Sequence, residues 1–98
     1  MDLNNITIVG RLAKEPEQVD HHKYDIAKGV IAVNSAKKDA PAYFFDFTAF
    51  GNSCNVIMSL KKGDKLGITG YLTQDKWQND AGENLQKVLI TVNKAYQV

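Results

Sequence analysis

The sequence predicts an all-β barrel of five strands, with one short helix between the third and fourth strands and a long β-hairpin arm between the fourth and fifth. Three observations carry this. Five segments combine β-branched or aromatic residues with two-residue alternation. Only the stretch after Gly51 spaces its apolar residues as a helix does. A polar stretch, 73–86, has turn residues at its centre and separates the last two strands.

Ile6 to Leu12 is the first strand, with Ile6, Ile8 and Leu12 inward and Thr7, Val9 and Arg11 outward. Gly10 falls on the inward row, where a missing side chain permits a bend or bulge. Pro16 ends the strand, and the segment to Lys23, with His21-His22, reads as a polar connection. Tyr24 to Asn34 is the second strand, with Val30 to Val33 its apolar end and Gly29 a further bend. A loop with Lys37-Lys38 runs to Pro41, and Tyr43 to Phe50 is the third strand. Asn52 or Ser53 caps a short helix whose apolar side is Val56, Ile57 and Leu60. Lys61-Lys62 and Gly63 end it, the lysines complementing the helix dipole. Lys65 to Leu72 is the fourth strand, with Leu66, Ile68 and Leu72 inward and Lys65, Thr69 and Tyr71 outward. The arm, 73–86, turns at Asn79-Asp80-Ala81-Gly82 and carries Lys76 and the only tryptophan, Trp77. Lys87 to Tyr96 is the fifth strand. A bent first strand, a helix between strands three and four and a long arm between four and five point to an OB-fold barrel.

The third strand is the informative one. One face takes Tyr43, Phe45, Phe47 and Ala49, which belong against a core; the other takes Phe44, Asp46, Thr48 and Phe50. Aspartate and threonine belong in water, yet two phenylalanines share their face. Leaving a large ring wet forgoes roughly 1.5–3 kcal/mol of hydrophobic stabilisation. Flat bases are one partner that recovers it. Parity alone leaves equally open that the rings lie under a loop or in a subunit interface.

Composition sets bounds. The 98 residues, 44% hydrophobic and 23% charged, fit a single domain, 1–98, with one modest core. With a net charge of +1, any nucleic-acid site is a local patch and not a global field. The single Cys54 cannot form an internal disulfide, which fits a reducing compartment. There is no signal peptide and no apolar run long enough to cross a bilayer, so no membrane association and a cytoplasmic setting are expected. Adjacent histidines in a polar loop are usually solvated, so His21-His22 are not assigned a metal. Cys54 lacks an evident His-Asp partnership, and no phosphate-binding glycine loop with its lysine is present. Neither an enzyme nor a cofactor is expected.

In order and spacing, several blocks resemble the bacterial and phage single-stranded DNA-binding protein family. They are Asn5 to Leu12 with Pro16-Glu17, Ile31 to Asn34, Phe45 to Gly51, Leu60 to Asp64, Thr69 to Leu72, and Trp77 followed by Asp80 and Gly82. The resemblance implies an OB-fold that binds single-stranded DNA without sequence preference and protects it in replication, recombination and repair. It implies base stacking at Phe44, Phe50 and Trp77, and basic contacts at Lys62 and Lys76 and, more loosely, Arg11. It also implies a homo-oligomer, dimer or tetramer. Asp46 departs from the family, many of whose members have a basic or neutral residue there, and Thr73 and Asp75 lie where family arms often carry arginines. The glycine-rich linker and acidic Pro-Phe-ended tail of cellular members are missing from these residues. That points to a short phage or mobile-element type, or to a PriB-like primosomal accessory, with no tail to recruit replication proteins.

The expected binding has two terms. Bases stack on Phe44, Phe50 and Trp77, with outward Tyr71 a weaker candidate that also fits a subunit contact. Phosphates run along Arg11, Lys37, Lys38, Lys62, Lys76 and Lys87, although Lys37-Lys38 fit a solvated loop equally well. A third reading, from another class, is an OB module whose aromatic face docks protein.

Overall fold

The computed structural model describes residues 1–20 and 25–98. The strands form where alternation predicts them: β1 (Ile6–Leu12), β3 (Asp25–Val33), β4 (Tyr43–Phe50), β5 (Lys65–Gln78) and β6 (Asn84–Gln97). These five close a ring, in the order β1-β5-β6-β4-β3, through pairing of β1 with β3 at Arg11↔Ala32 and Leu12↔Ile31. All pairings are antiparallel except β4 with β6. A seven-residue helix, α1 (Asn52–Met58), lies between β4 and β5 and packs against β3, β4 and β6. The architecture is an OB-fold barrel.

The segment after Pro16 is not a mere polar connection. Residues Glu17–Asp20 form a further strand, β2, paired with β3 from Glu17↔Lys28 to Asp20↔Asp25. It takes the edge of β3 that β1 occupies further along, at Ile31 and Ala32. With Val19 its only apolar residue, β2 has no hydrophobic alternation to betray it; its backbone hydrogen bonds define it. His21, His22 and the predicted start of the second strand at Tyr24 lie outside the described residues.

The barrel interior is built from the inward rows. Leu12, Ile31, Phe47, Ala49, Leu66, Ile68, Ile90 and Val92 are buried there, with Ile57 of α1 closing one end. Two glycines make this packing possible by close approach. A Cβ on Gly10 would sit 2.3 Å from the Ala32 carbonyl oxygen, where β1 crosses β3. One on Gly29 would sit 2.6 Å from Cζ of the buried Phe47 ring. Between Thr69↔Lys94 and Gly70↔Val92 the β5–β6 register shifts, leaving Asn93 as a bulge residue. The bulge lets Val92 and Ala95, three residues apart, both point inward. The Ser53 hydroxyl donates to the Asn93 carbonyl at 3.2 Å, tying the helix to the bulge.

Three expectations need correction. The helix cap is Gly51, at φ 58° with no side-chain hydrogen bond, and not Asn52 or Ser53. Lys61-Lys62 lie beyond the helix, whose last turn has no basic residue; the Lys61 amide instead donates to the Asp64 carboxylate at 2.9 Å. Tyr43, Phe45 and Leu72, predicted inward, are exposed. The reason is reach. Parallel pairing with β6 covers only Phe47–Ala49 of β4, so its first half is flanked by β3 alone. The predicted arm does form, as the outer parts of β5 and β6, which are each fourteen residues long and run on past the barrel as a two-stranded ribbon. The predicted turn closes it: Asn79 Oδ1 accepts from the amides of Ala81 and Glu83, and Gly82 takes a φ of 82°.

Candidate nucleic-acid interface

Residues directly opposite one another in a sheet project to the same face. Pairing therefore identifies the outer face without ambiguity. Phe47↔Ile90 and Ala49↔Val92 are buried core pairs, so Thr48↔Thr91 between them points out. From there a belt crosses five strands: Tyr71 on β5, Thr91 on β6, Thr48 on β4, Lys28 on β3 and Glu17 on β2. Alternation extends it along each strand. Phe44, Asp46 and Phe50 join Thr48; Thr73, Asp75 and Trp77 join Tyr71; Lys87 and Leu89 join Thr91. Thr73 and Thr91 share a hydroxyl–hydroxyl hydrogen bond of 3.0 Å across β5 and β6, which fixes the two rows side by side.

All four predicted rings thus stand on one face. They remain accessible: Phe44 is 64% exposed, Trp77 47%, and Phe50 and Tyr71 37% each. Phe44 and Phe50 mark the two ends of β4, Tyr71 sits over the barrel wall and Trp77 lies out on the arm. Tyr43 and Phe45 pack as a separate tilted pair, ring centroids 6.4 Å apart, on the opposite face of β4.

The charge pattern is uneven. At the centre, Lys87 Nζ lies 2.8 Å from Asp46 Oδ2, both side chains about half exposed. Asp75 is directly opposite Lys87 on the neighbouring strand. Lys87 is therefore flanked by two carboxylates, and the middle of the face carries no surplus positive charge. Arg11 pairs with Ala32, which in turn pairs with Phe44, so Arg11 stands on the same face as that ring, two strands away. Its Nη1 donates to the Gly63 carbonyl over a long 3.5 Å, so Arg11 and neighbouring Lys62 share one end of the barrel. Lys37 and Lys38 are exposed on the loop that leads into Tyr43 and Phe44, where the Lys37 amide donates to Ser35 Oγ. Lys76 alternates with Trp77 on the arm, and the two line one open cleft with Leu85 and Gln86.

Sequence reasoning missed two cations. Lys14 and Lys28 border the central ion pair, in a notch shared with Glu17, Asp46, Asp75 and Lys87. Lys28 follows outward parity on the second predicted strand and was legible in principle. Lys14 lies in an irregular turn, where no periodicity assigns a direction.

Nothing in the geometry points to chemistry at Cys54. It is buried, and burial pushes its thiol up from the ordinary value, with the Asp25 carboxylate adding to the shift. Among the described residues, no group of three or more His, Cys, Asp or Glu side chains is placed to hold a metal ion. No helix of the described residues is long and apolar enough to cross a membrane.

Comparison with known proteins agrees with the fold. The model of the single-strand binding protein family matches residues 3–98. The single-stranded DNA-binding protein 2 of Nostoc sp. is 32% identical over 94 residues, covering 93% of this chain and 74% of the relative. The single-stranded DNA-binding protein 1 of Synechocystis sp. is 33% identical over 98 residues, covering 95% and 81%. The single-stranded DNA-binding protein of Thermosynechococcus vestitus is 30% identical, covering 96% and 81%. A match over nearly the whole chain, on a closed barrel with Phe44, Phe50, Tyr71 and Trp77 turned outward, leads to one conclusion: this chain belongs to the single-strand binding protein family.

Proposed function

We propose that the chain binds single-stranded DNA of any sequence and shields it during replication, recombination and repair. The observation that carries this is the common face of Phe44, Phe50, Tyr71 and Trp77, each exposed. Every base has a π-face, so rings of this kind accept all four, each stack worth about 1–3 kcal/mol by truncation. Duplex DNA keeps its base faces covered, which directs the same rings to unpaired strands. Phosphates follow the rim cations Arg11, Lys37, Lys38, Lys62 and Lys76, with Lys87 joining once its carboxylate partner is displaced. The role is one of binding, without catalysis, in the cytoplasm.

We infer a homo-oligomer, dimer or tetramer, and a set of exposed apolar side chains supports this reading. Tyr43, Phe45, Leu72 and Val88 occupy inward-parity positions beyond the closed part of the barrel and are exposed in the isolated chain.

Trp77 fluorescence provides the test. Titration with oligo-dT quenches it, while duplex of equal length does so weakly. No quenching by any single strand sinks the proposal in favour of a protein-docking face, the reading that the near-neutral centre would then favour. Weak binding with capture of a helicase or primosome component identifies the PriB-like alternative.

A further inference from the structure

Where β1 and β3 close the barrel they pair only at Arg11↔Ala32 and Leu12↔Ile31, and beyond Arg11 they part. A hollow of about 360 Å³ opens on the outside of that seam, lined by Val9, Gly10, Arg11, Ala32, Asn34 and Lys65. Arg11 and Lys65 are directly opposite one another on β1 and β5, and both are exposed. Like charges placed directly opposite destabilise a sheet, and nothing nearby offsets these two. Among the described residues neither cation has a carboxylate partner, and no carboxylate lines the hollow. Asp64 and Glu15, the carboxylates nearest in the chain, are taken by backbone. Asp64 accepts from the Lys61 amide at 2.9 Å and Glu15 from the Lys62 amide at 3.1 Å. Arg11 itself reaches the Gly63 carbonyl only over a long 3.5 Å. This is the reverse of the centre of the face, where Lys87 is flanked by two carboxylates.

We propose that Arg11 and Lys65 together form a phosphodiester subsite at this seam, which makes Lys65 a further DNA-binding residue. This rests on the single-strand reading above. Phe44, Ala32, Arg11 and Lys65 are successive cross-strand partners on β4, β3, β1 and β5, and opposite residues share a face. Neighbouring strands lie about 4.8 Å apart. The cations therefore begin about 10 Å from Phe44 along the row, and the small Ala32 side chain between them leaves the way open. A strand with a base stacked on Phe44 has its backbone within reach of the pair. The guanidinium offers a planar fork of donors and the ammonium a second, compact charge. A phosphate held by both replaces their mutual repulsion with two attractions. The subsite contacts no base, so binding stays independent of sequence.

The experiment measures Kd for labelled oligo-dT by fluorescence anisotropy across a series of salt concentrations, with mass and melting temperature measured in parallel. It compares the native chain with Lys65→Gln and with Lys94→Gln, an exposed lysine of β6 outside the hollow. Lys65→Gln is expected to flatten the log–log salt slope by about 0.7, the single-strand increment for one phosphate. That increment corresponds to roughly fivefold weaker binding at ~0.1 M salt and roughly fifteenfold at ~0.02 M. The melting temperature is expected to hold or rise, because the like-charge contact is relieved. Lys94→Gln is expected to keep the native slope. An unchanged slope in Lys65→Gln overturns the inference. Equal flattening in Lys94→Gln does so too, since that marks a diffuse field and not a site. Weakening that comes with a change of mass also overturns it, because the pair then acts at a subunit contact. A native chain that binds no single strand refutes the single-strand reading and the subsite with it, an outcome distinct from a native binder that Lys65→Gln leaves unaltered.

Discussion

Phe44 and Phe45 are adjacent in sequence, both exposed, and on opposite faces of β4. If the outer face binds single strands, truncating the two rings must have different consequences. Phe44 leaves 64% of its surface in solvent, so Phe44→Ala removes little packing and the melting temperature should hardly move. Its loss to binding is one base stack, about 1–3 kcal/mol, which at tenfold per 1.4 kcal/mol is roughly 5- to 140-fold in Kd. Phe45 is 39% exposed and packs against Tyr43. Phe45→Ala should lose about 1–2 kcal/mol of partial burial and ring contact. For a domain of this size that lowers the melting temperature by roughly 4–16 °C, while affinity per assembled protein stays within about twofold. The assay is anisotropy of a labelled oligo-dT, with mass measured in parallel so that both variants are compared in the same assembly. Equal weakening by the two variants, or no weakening by Phe44→Ala, would refute assignment of the outer face.

Other consequences are independent of that pair. Trp77→Ala should weaken binding at least tenfold, read by anisotropy because the intrinsic fluorophore is gone; an unchanged Kd removes the arm from the site. Asp46→Asn frees Lys87 from its 2.8 Å partner. The log–log salt dependence should then steepen by about 0.7, the single-strand increment for one further neutralised phosphate, and an unchanged slope means Lys87 stays off the backbone. Gly29→Ala drives a methyl to 2.6 Å from the buried Phe47 ring. Such overpacking costs about 1–3 kcal/mol, so a melting curve that does not shift downward would show that the ring has room to yield. Cys54, buried with its thiol pushed up, should resist alkylation at pH 8 in the folded chain and react on denaturation; rapid labelling of the folded chain contradicts its burial.

Most of the fold was legible because burial imposes a period. Ile6, Ile8 and Leu12, then Phe47 and Ala49, then Leu66 and Ile68 alternate so strictly that face and strand follow together. The outward rings were found by the same rule, since Phe44 and Phe50 violate the polarity of their row. What could not be read was anything set by reach across space. β2 exists because its backbone completes an edge of β3, and backbone hydrogen bonds leave no mark on side-chain choice. Tyr43, Phe45 and Leu72 are apolar at inward positions, yet whether they are covered depends on where the neighbouring strand ends.

The candidate site divides along the same line. Residue type and alternation alone determined which rings point away from the core, because that property belongs to a single strand. Only the tertiary structure decided that β4, β5 and β6 lie side by side, and hence that Lys87 falls between Asp46 and Asp75. Electrostatics acts through distance. The same lysine that reads along the chain as a free phosphate contact is, in the folded barrel, held by a carboxylate forty-one positions earlier in the chain.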